Sequence, residues 1–263
     1  MRFDVFTLFP SYFDGPLSTS ILARARASGA IEVALHDIRE WTTDKHRVTD
    51  DYPFGGGAGM VMKAEPVARA LESVLNFEVG SAQPPCPIVY LSPQGRTLNQ
   101  NVVWELAALP RLALLCGHYE GVDERLIETA VTDEISLGDF VLTGGEGAAA
   151  ILIEAVARWV PGVLGNENSA AGDSFADGLL ESPHYTRPAN WRGREVPEVL
   201  MNGHHANIEL WRFREGLKRT LTRRPDIIRA ALLNRALGKA ERQVCKEVFE
   251  ELGVGDIELP EKI

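Results

Sequence analysis

The sequence has little cysteine, with three residues among 263, Cys86, Cys116 and Cys245. They are far apart and form no Cys-x-x-Cys pair, which excludes a disulfide framework and argues against a zinc or redox pair. Such usage is typical of a reducing cytosol. No apolar run reaches the roughly 18 to 20 residues of a membrane helix, and an acid and a proline interrupt the first ten residues where a signal peptide is apolar. We therefore expect a soluble, cytoplasmic protein without membrane contact.

Two common nucleotide-binding motifs are also missing. A dinucleotide fold has Gly-x-Gly-x-x-Gly directly after its first strand, where this chain has Leu-Phe-Pro-Ser-Tyr at 8–12. The glycine-rich run at 55–59 lacks the last glycine of that motif, and no Gly-x-x-x-x-Gly-Lys-Ser/Thr phosphate loop occurs. The neighbours His204 and His205 have no carboxylate at helical ligand spacing, so we expect no structural metal site.

Positive charge is scarce overall but concentrated near the C-terminus. The net charge is −10, yet residues 212–246 contain eleven Lys and Arg against three acids, so that segment carries +8 and the remainder −18. A basic segment on an acidic protein indicates a surface for phosphate groups. The alternative is a solvated helical face with interspersed charges.

Strand-like and helix-like segments alternate through the first 160 residues. Apolar strands are predicted at 2–9, 31–38, 88–91 and 112–116, with helices near 18–29, 65–77, 99–109 and 123–131. Continuous apolar strands joined by helices predict an α/β fold, a parallel sheet covered by helices on both faces. A polar, glycine-rich loop from 39 to 59 is long enough to indicate function.

The last third of the chain has a different character. Residues 163–190 show little periodicity and are rich in turn formers, and beyond 202 only helical patterns occur. We therefore predict a catalytic or binding domain at 1–162, a linker at 163–177, and a small, basic, all-α domain at 178–263.

Three strands end in glycine-bearing loops. These are 90–95, 117–121, and the stretch 135–146, which predicts a short buried strand centred on Phe140-Val141-Leu142 with glycines at both ends. Ligands of parallel sheets lie beyond the carboxyl ends of the strands. With His118 as the one basic side chain, the three loops favour an uncharged, adenine-like ligand. An ordinary glycine-rich corner is the alternative for 135–146.

Several ordered motifs carry a family resemblance. They are Tyr-Leu-Ser-Pro-Gln-Gly at 90–95, Cys-Gly-His-Tyr-Glu-Gly-Val-Asp-Glu-Arg at 116–125, Ser-Leu-Gly-Asp-Phe-Val-Leu-Thr-Gly-Gly-Glu at 136–146, Pro-Gly-Val-Leu-Gly-Asn-Glu at 161–167, Asp-Ser-Phe at 173–175 and Pro-His-Tyr-Thr-Arg-Pro at 183–188. Over essentially its whole length the chain resembles the TrmD family of bacterial tRNA (guanine-N1)-methyltransferases, which belongs to the SPOUT methyltransferases.

The resemblance implies a C-terminal trefoil knot in the sheet domain, an exception to the usual absence of knots. The knot's loops would hold S-adenosylmethionine in a bent conformation. The homodimer would form its active site between subunits and methylate N1 of guanosine 37, on the 3′ side of the anticodon, in the anticodon stem-loop of tRNA. The implied donor-binding residues are Tyr90, Leu91, Ser92, Pro93, Gly117, Tyr119, Glu120, Gly121, Ile135, Ser136, Leu137, Gly138, Phe140, Leu142, Gly144 and Gly145.

The resemblance assigns two catalytic residues. Asp173 would remove the N1 proton as general base, a step worth about 10² to 10⁴ in rate, and Arg158 would stabilise the charge that develops on O6. Without the resemblance, Asp173 reads as an ordinary loop aspartate and Arg158 as a helix-end cation. Mg²⁺ is implied by the family alone, because transfer from a sulfonium needs no Lewis acid.

The implied tRNA contacts lie in three regions, at His46, Arg47, Gly57, Gly59, Ser169, Arg223 and Arg224. Some positions depart from the family pattern: Phe54 replaces a usual tyrosine, Gly147-Ala148 a common leucine-proline pair, and the 80–87 connection is extended. Two alternatives stay open, a SPOUT enzyme acting on a ribose 2′-hydroxyl and a non-catalytic RNA-binding module.

Overall fold

The computed structural model describes residues 1–165, 170, 172–233 and 235–254. The chain divides into an N-terminal unit, Met1–Glu167, and a C-terminal unit, Asn168–Ile263. In the part of the chain that is described, every helix is too short or too polar to cross a membrane.

The N-terminal unit alternates strands with helices. Its elements are β1 (Arg2–Thr7), α1 (Asp14–Leu17), α2 (Ser20–Ala27), β2 (Glu32–Asp37), β3 (Asp50–Asp51), β4 (Val61–Met62), α3 (Ala64–Leu75), β5 (Ile88–Thr97), α4 (Gln100–Ala107), β6 (Arg111–Cys116), α5 (Glu124–Ala130), β7 (Asp133–Ser136) and α6 (Glu146–Ala157). The start of α4 and the start of α5 are each set by an N-cap: the side chains of Asn99 and Asp123 accept hydrogen bonds from first-turn amides.

Five strands form one sheet in the order β2-β1-β6-β5-β7, and each neighbouring pair is parallel. Successive side chains of a strand point to opposite faces. In β1, Phe3 and Val5 join the core beneath α2, α4 and α6, whereas Phe6 joins the core beneath α3 and α5. Both faces are therefore apolar and covered, and the predicted α/β fold class is confirmed.

The stretch 135–146 differs from its prediction. The strand β7 ends at Ser136, and the side chains of Phe140, Val141 and Leu142 are 55%, 82% and 46% exposed. Among the described residues β7 is an edge strand that pairs with β5 alone, and this pairing ends at Thr97↔Ser136. Without a backbone partner beyond that pair, the apolar triplet forms a loop, and the prediction of a buried strand was wrong.

The long loop after β2 also contains a short antiparallel pair that was not predicted. Asp50 and Asp51 of β3 lie opposite Met62 and Val61 of β4. This pair closes the glycine-rich segment into a hairpin, and Met62 N–H then donates to Gly121 O at 2.9 Å. The segment is therefore anchored beside the loop that follows β6.

In the described part of the C-terminal unit three helices pack together, α7 (His205–Arg223), α8 (Pro225–Leu233) and α9 (Lys239–Leu252). Their buried faces meet around Phe213, Leu217, Leu232 and Val248. The unit also contains a two-stranded hairpin, β8 (Asn190–Trp191) and β9 (Arg194–Glu195). It therefore differs from the all-α domain that the sequence predicted. Two-residue strands leave too little sequence for a period-two pattern to be recognised.

Candidate active site

A pocket lies at the carboxyl ends of β5, β6 and β7 in the N-terminal unit. Its walls come from the three glycine-bearing loops and the start of α6. The lining residues are Tyr90, Leu91, Ser92, Pro93, Gly117, His118, Tyr119, Glu120, Gly121, Ile135, Ser136, Leu137, Phe140, Val141, Leu142, Thr143, Gly144, Gly145 and Ala148. The structure therefore brings the three strand ends together, as the parallel topology requires.

The first wall is an irregularity in β5. Pairing with β7 shifts between Leu91 and Arg96, so residues 92–95 leave the ladder and return to it. An ideal Cβ at Gly95 would lie 2.3 Å from the Glu134 carbonyl carbon. Only glycine allows the two backbones to approach this closely.

The second wall is the loop after β6. A Cβ at Gly117 would lie 2.8 Å from the Tyr90 ring, and Tyr119 and Gly121 have φ of +60° and +132°. Burial raises the pKa of Tyr90, so its phenol stays protonated at neutral pH. The loop therefore packs against the neutral Tyr90 phenol of β5, and its Glu120 supplies a carboxylate to the pocket lining.

The third wall joins the 138–145 loop to the second. Gly145 N–H donates to Gly117 O at 2.8 Å, and a Cβ at Gly145 would lie 2.8 Å from Cys116 Cα. Gly138, with φ of +145°, turns the chain after β7 without lining the pocket itself. The close backbone contact fixes the distance between the two loops.

A buried carboxylate lies behind these loops. Glu146, the first residue of α6, is only 3% exposed. Its carboxylate accepts a hydrogen bond from Thr7 Oγ1 at 2.7 Å and lies 3.2 Å from His118 Nε2. Neighbouring Cys116 is fully buried, and burial together with Glu146 raises the pKa of its thiol. Cys116 therefore stays a neutral thiol, while Glu146 ties β1, His118 and α6 together.

The pocket's chemistry fits the expected methyl donor. Apolar side chains of the third loop suit a heterocycle, and backbone amides supply hydrogen bonds. Glu120 lies at the rim next to Gly59, where a Cβ would approach Glu120 Oε1 to 2.3 Å. A carboxylate there suits the positive charge of an ammonium or sulfonium.

Four predicted tRNA-contact residues lie in the long loop after β2: His46 and Arg47 precede β3, and Gly57 and Gly59 lie between β3 and β4. His46 and Arg47 are exposed, and the His46 N–H donates to Asp44 Oδ1. Gly57 has no atom within 4 Å of an added Cβ, in contrast to Gly59 beside Glu120. The structure thus places Gly59 beside Glu120 of the pocket, whereas His46, Arg47 and Gly57 are exposed.

Arg158 follows the last residue of α6, and its N–H donates to Glu154 O. The helix has twelve residues, so this position lies about 18 Å along its axis from the pocket end. Arg158 is not among the residues that line the pocket. Within one copy of the N-terminal unit the structure does not bring it to the donor site.

Asp173 belongs to the C-terminal unit, on a turn that runs from Gly172 to Ser182 against α7. The Asp173 N–H donates to Ala170 O at 3.3 Å, and Ala176 N–H donates to Asp173 O at 3.1 Å. Further along, Leu180 N–H donates to Thr220 Oγ1 at 2.9 Å. The turn is therefore built into the helical unit.

The two remaining predicted tRNA-contact residues with a described position end α7. Arg223 is exposed, and Arg224 pairs with Asp226 at 2.7 Å and lies 5.7 Å from the Phe175 ring. Ser169 lies outside the described residues.

Sequence reasoning missed several residues of the site: Thr7, Val141, Thr143, Glu146 and Ala148. An acidic residue in the first turn of a helix is common, because its negative charge interacts favourably with the helix dipole. Glu146 therefore gave no sign that it would be buried. Among the described residues, no group of three or more His, Cys, Asp or Glu side chains is arranged to hold a metal ion.

The chain is therefore an α/β protein with a small-molecule site at the carboxyl edge of its parallel sheet, where neighbouring strand ends enclose a pocket. A family model described as tRNA (Guanine-1)-methyltransferase TrmD matches residues 1–230. The chain belongs to this family, and the resemblance seen in its motifs is confirmed.

Curated relatives cover nearly the whole chain. A tRNA (guanine-N(1)-)-methyltransferase of Chloroflexus aurantiacus is 55% identical over 248 residues, 94% of this chain and 96% of the relative. Enzymes of the same name from Geotalea uraniireducens and Dehalococcoides mccartyi are 56% and 50% identical, covering 89% and 95% of this chain and 93% and 98% of theirs.

Proposed function

We propose that the protein transfers the methyl group of S-adenosylmethionine to N1 of guanosine 37 in the anticodon stem-loop of tRNA, in the cytoplasm. The three-loop pocket in a chain of this family is the observation that carries the proposal. S-adenosylmethionine supplies an electrophilic methyl on a sulfonium. The pocket residues bind and orient that donor.

Guanine N1 needs help from the protein, because its lone pair is freed only when the N1 proton leaves. We assign Asp173 as the base that takes this proton and Arg158 as the cation that stabilises the charge on O6. The Gly172–Ser182 turn, hydrogen-bonded to α7, supports a fixed position for the carboxylate within its own unit.

The active site is proposed to form between two copies of the chain. The distance along α6 between the pocket and Arg158 supports this arrangement, and the second copy is proposed to contribute Asp173, as the family resemblance implies. We also infer the trefoil knot of the family, with which the close approach of the β5 and β7 backbones at Gly95 is consistent. The described residues do not fit a Mg²⁺ site of three or more acidic or histidine ligands, and no step is assigned to the metal.

The decisive experiment maps the methylated atom. Unmodified tRNA transcript is incubated with the protein and S-adenosylmethionine, and the product is analysed by nucleoside mass spectrometry and reverse-transcription stops. We expect 1-methylguanosine at position 37. A ribose 2′-O-methyl product, or S-adenosylmethionine binding without methylation, would contradict the proposal.

Asp173→Ala tests the assigned base. We expect methylation to fall by about 10² to 10⁴, because the N1 proton then has no positioned acceptor. S-adenosylmethionine affinity should stay unchanged in calorimetry, since Asp173 is not among the pocket-lining residues. Asp14→Asn, which removes an exposed carboxylate from α1, is the control and should keep the wild-type rate. Methylation by Asp173→Ala at the wild-type rate would remove the role assigned to Asp173.

A further inference from the structure

The β8–β9 hairpin presents an unusual surface on the C-terminal unit. Every residue from 184 to 195 is exposed. The two strands are joined by Arg192 and Gly193, with φ of +52° and +80°, the left-handed conformations of a tight two-residue turn. We call Arg187, Trp191, Arg192 and Arg194 the hairpin surface.

Trp191 is the aromatic part of the hairpin surface. Its side chain is 58% exposed, and the Arg192 guanidinium lies 5.0 Å from its ring centroid. Leaving most of an indole in water forgoes the free energy of burying it. An exposed aromatic ring combined with an arginine is a surface on which unpaired nucleic-acid bases stack.

The hairpin surface also has uncompensated charge. Within the described residues, Arg187, Arg192 and Arg194 have no carboxylate within ion-pair distance. The nearby Glu195 instead accepts a hydrogen bond from Asn190 Nδ2 at 3.4 Å. Three guanidinium groups therefore remain available to an anionic partner.

The basic segment 212–246 contrasts with the hairpin surface. Five of its eleven cations lie 2.6 to 2.9 Å from a carboxylate of the same unit, namely Arg212, Arg214, Lys218, Arg224 and Arg235. Pairing neutralises much of the charge that the sequence places in the helices. The hairpin surface lies outside that segment and keeps its charge.

We propose that the hairpin surface is a second RNA-binding site, which takes an unpaired nucleotide of the tRNA. The Trp191 indole stacks on the base, and Arg187, Arg192 and Arg194 contact neighbouring phosphates. Charge complementarity selects RNA over a protein partner, because three unpaired guanidinium groups suit a polyanion. The choice of tRNA as the RNA rests on the proposed function.

The test measures tRNA affinity of the full-length protein between 50 and 300 mM salt. Trp191→Ala should weaken binding about 10-fold at every salt concentration, whereas Trp191→Phe should keep most of the affinity, since a ring remains for stacking. An Arg192→Gln/Arg194→Gln double variant should weaken binding and reduce the slope of log affinity against log salt by about two. Arg69→Gln, which removes an arginine of α3 that is already paired with Glu65 at 2.7 Å and lies outside the basic segment, is the control and should change affinity less than about twofold.

Two further readouts separate the possible outcomes. S-adenosylmethionine affinity and the methylation rate at saturating tRNA should equal wild type in all four variants. Wild-type tRNA affinity in both Trp191→Ala and the double-arginine variant would overturn the proposal. A change in oligomeric mass that accounts for the lost affinity would also overturn it, because the hairpin surface would then contact protein rather than RNA. Failure of the wild-type enzyme to methylate tRNA would overturn the proposed function instead, whatever the hairpin variants do.

Discussion

Gly145 shows how one residue sets the geometry of the pocket. Its φ of −78° suits any residue, so space rather than backbone conformation requires glycine. A Cβ there would lie 2.8 Å from Cys116 Cα and 3.0 Å from Gly117 N, both backbone atoms. A methyl group must therefore push the loop after β6 away from the start of α6.

Gly145→Ala should destabilise the protein by about 1–3 kcal/mol, the usual cost of overpacking. It should also weaken S-adenosylmethionine binding at least tenfold, because both displaced loops line the pocket. Calorimetry with the donor and thermal unfolding measure the two effects. Gly15→Ala is the control: this exposed glycine in α1 has no atom within 4 Å of an added Cβ, so stability should stay equal or rise by up to about 1 kcal/mol. Equal donor affinity in both variants would show that the loop contact is not needed.

At the scale of elements, the docking of the Gly172–Ser182 turn on α7 depends on Thr220. This threonine is fully buried, and its Oγ1 donates to Gly216 O at 2.7 Å and accepts from Leu180 N–H at 2.9 Å. Thr222 makes the same bond one turn back along the helix, to Lys218 O at 2.8 Å, but is exposed. The two positions differ in burial and in the contact to the turn.

Thr220→Val should lower the free energy of unfolding of the C-terminal unit by about 1–3 kcal/mol, because the half-buried Leu180 N–H then loses its acceptor. Thr222→Val should change it by less than about 0.5 kcal/mol. Urea titrations of both variants give the comparison. Equal values would mean that the turn does not depend on the Thr220 hydroxyl.

The strands and helices show which elements could be predicted. Helix α3 follows from its apolar spacing and occurs at Ala64–Leu75, close to the predicted 65–77. The apolar run at 140–142 has the composition of a strand, but strand formation needs a neighbour, and β5 ends before it. Pairing is a long-range property, so local composition could not decide this segment.

At the scale of the whole molecule, Asp4 joins three strands of the sheet. It is fully buried in β1, with Arg2, Arg111 and His36 each within 2.8 Å. Burial by itself would raise the pKa of Asp4, but the hydrogen bonds from these three partners hold it well below its ordinary value of 3.8. Its charge therefore stabilises the fold above pH 3.8, and this contribution is lost as pH falls from 3.8 toward the folded-state pKa.

Asp4→Asn should lower the free energy of unfolding by about 3 kcal/mol at pH 7. This is the low end for a broken buried pair, because the side chains of Arg2 and Arg111 are 37% and 28% exposed. The difference from wild type should shrink by about 1 kcal/mol at pH 3. Glu32→Gln, which removes an exposed partner of Arg2, should cost under about 1 kcal/mol. Urea unfolding at both pH values measures this, and a difference that is the same at pH 7 and pH 3 would contradict the assignment.

The sequence by itself determined the alternation of strands and helices, the parallel sheet and, through its motifs, the family. Fifteen of the sixteen predicted donor-binding residues line one pocket, because parallel strands bring their carboxyl ends to the same edge. Only the tertiary structure decided that Phe140, Val141 and Leu142 are exposed, that Glu146 is buried, and that the hairpin surface keeps its charge. Burial and ion pairing depend on residues distant in sequence, and no local pattern contains that information.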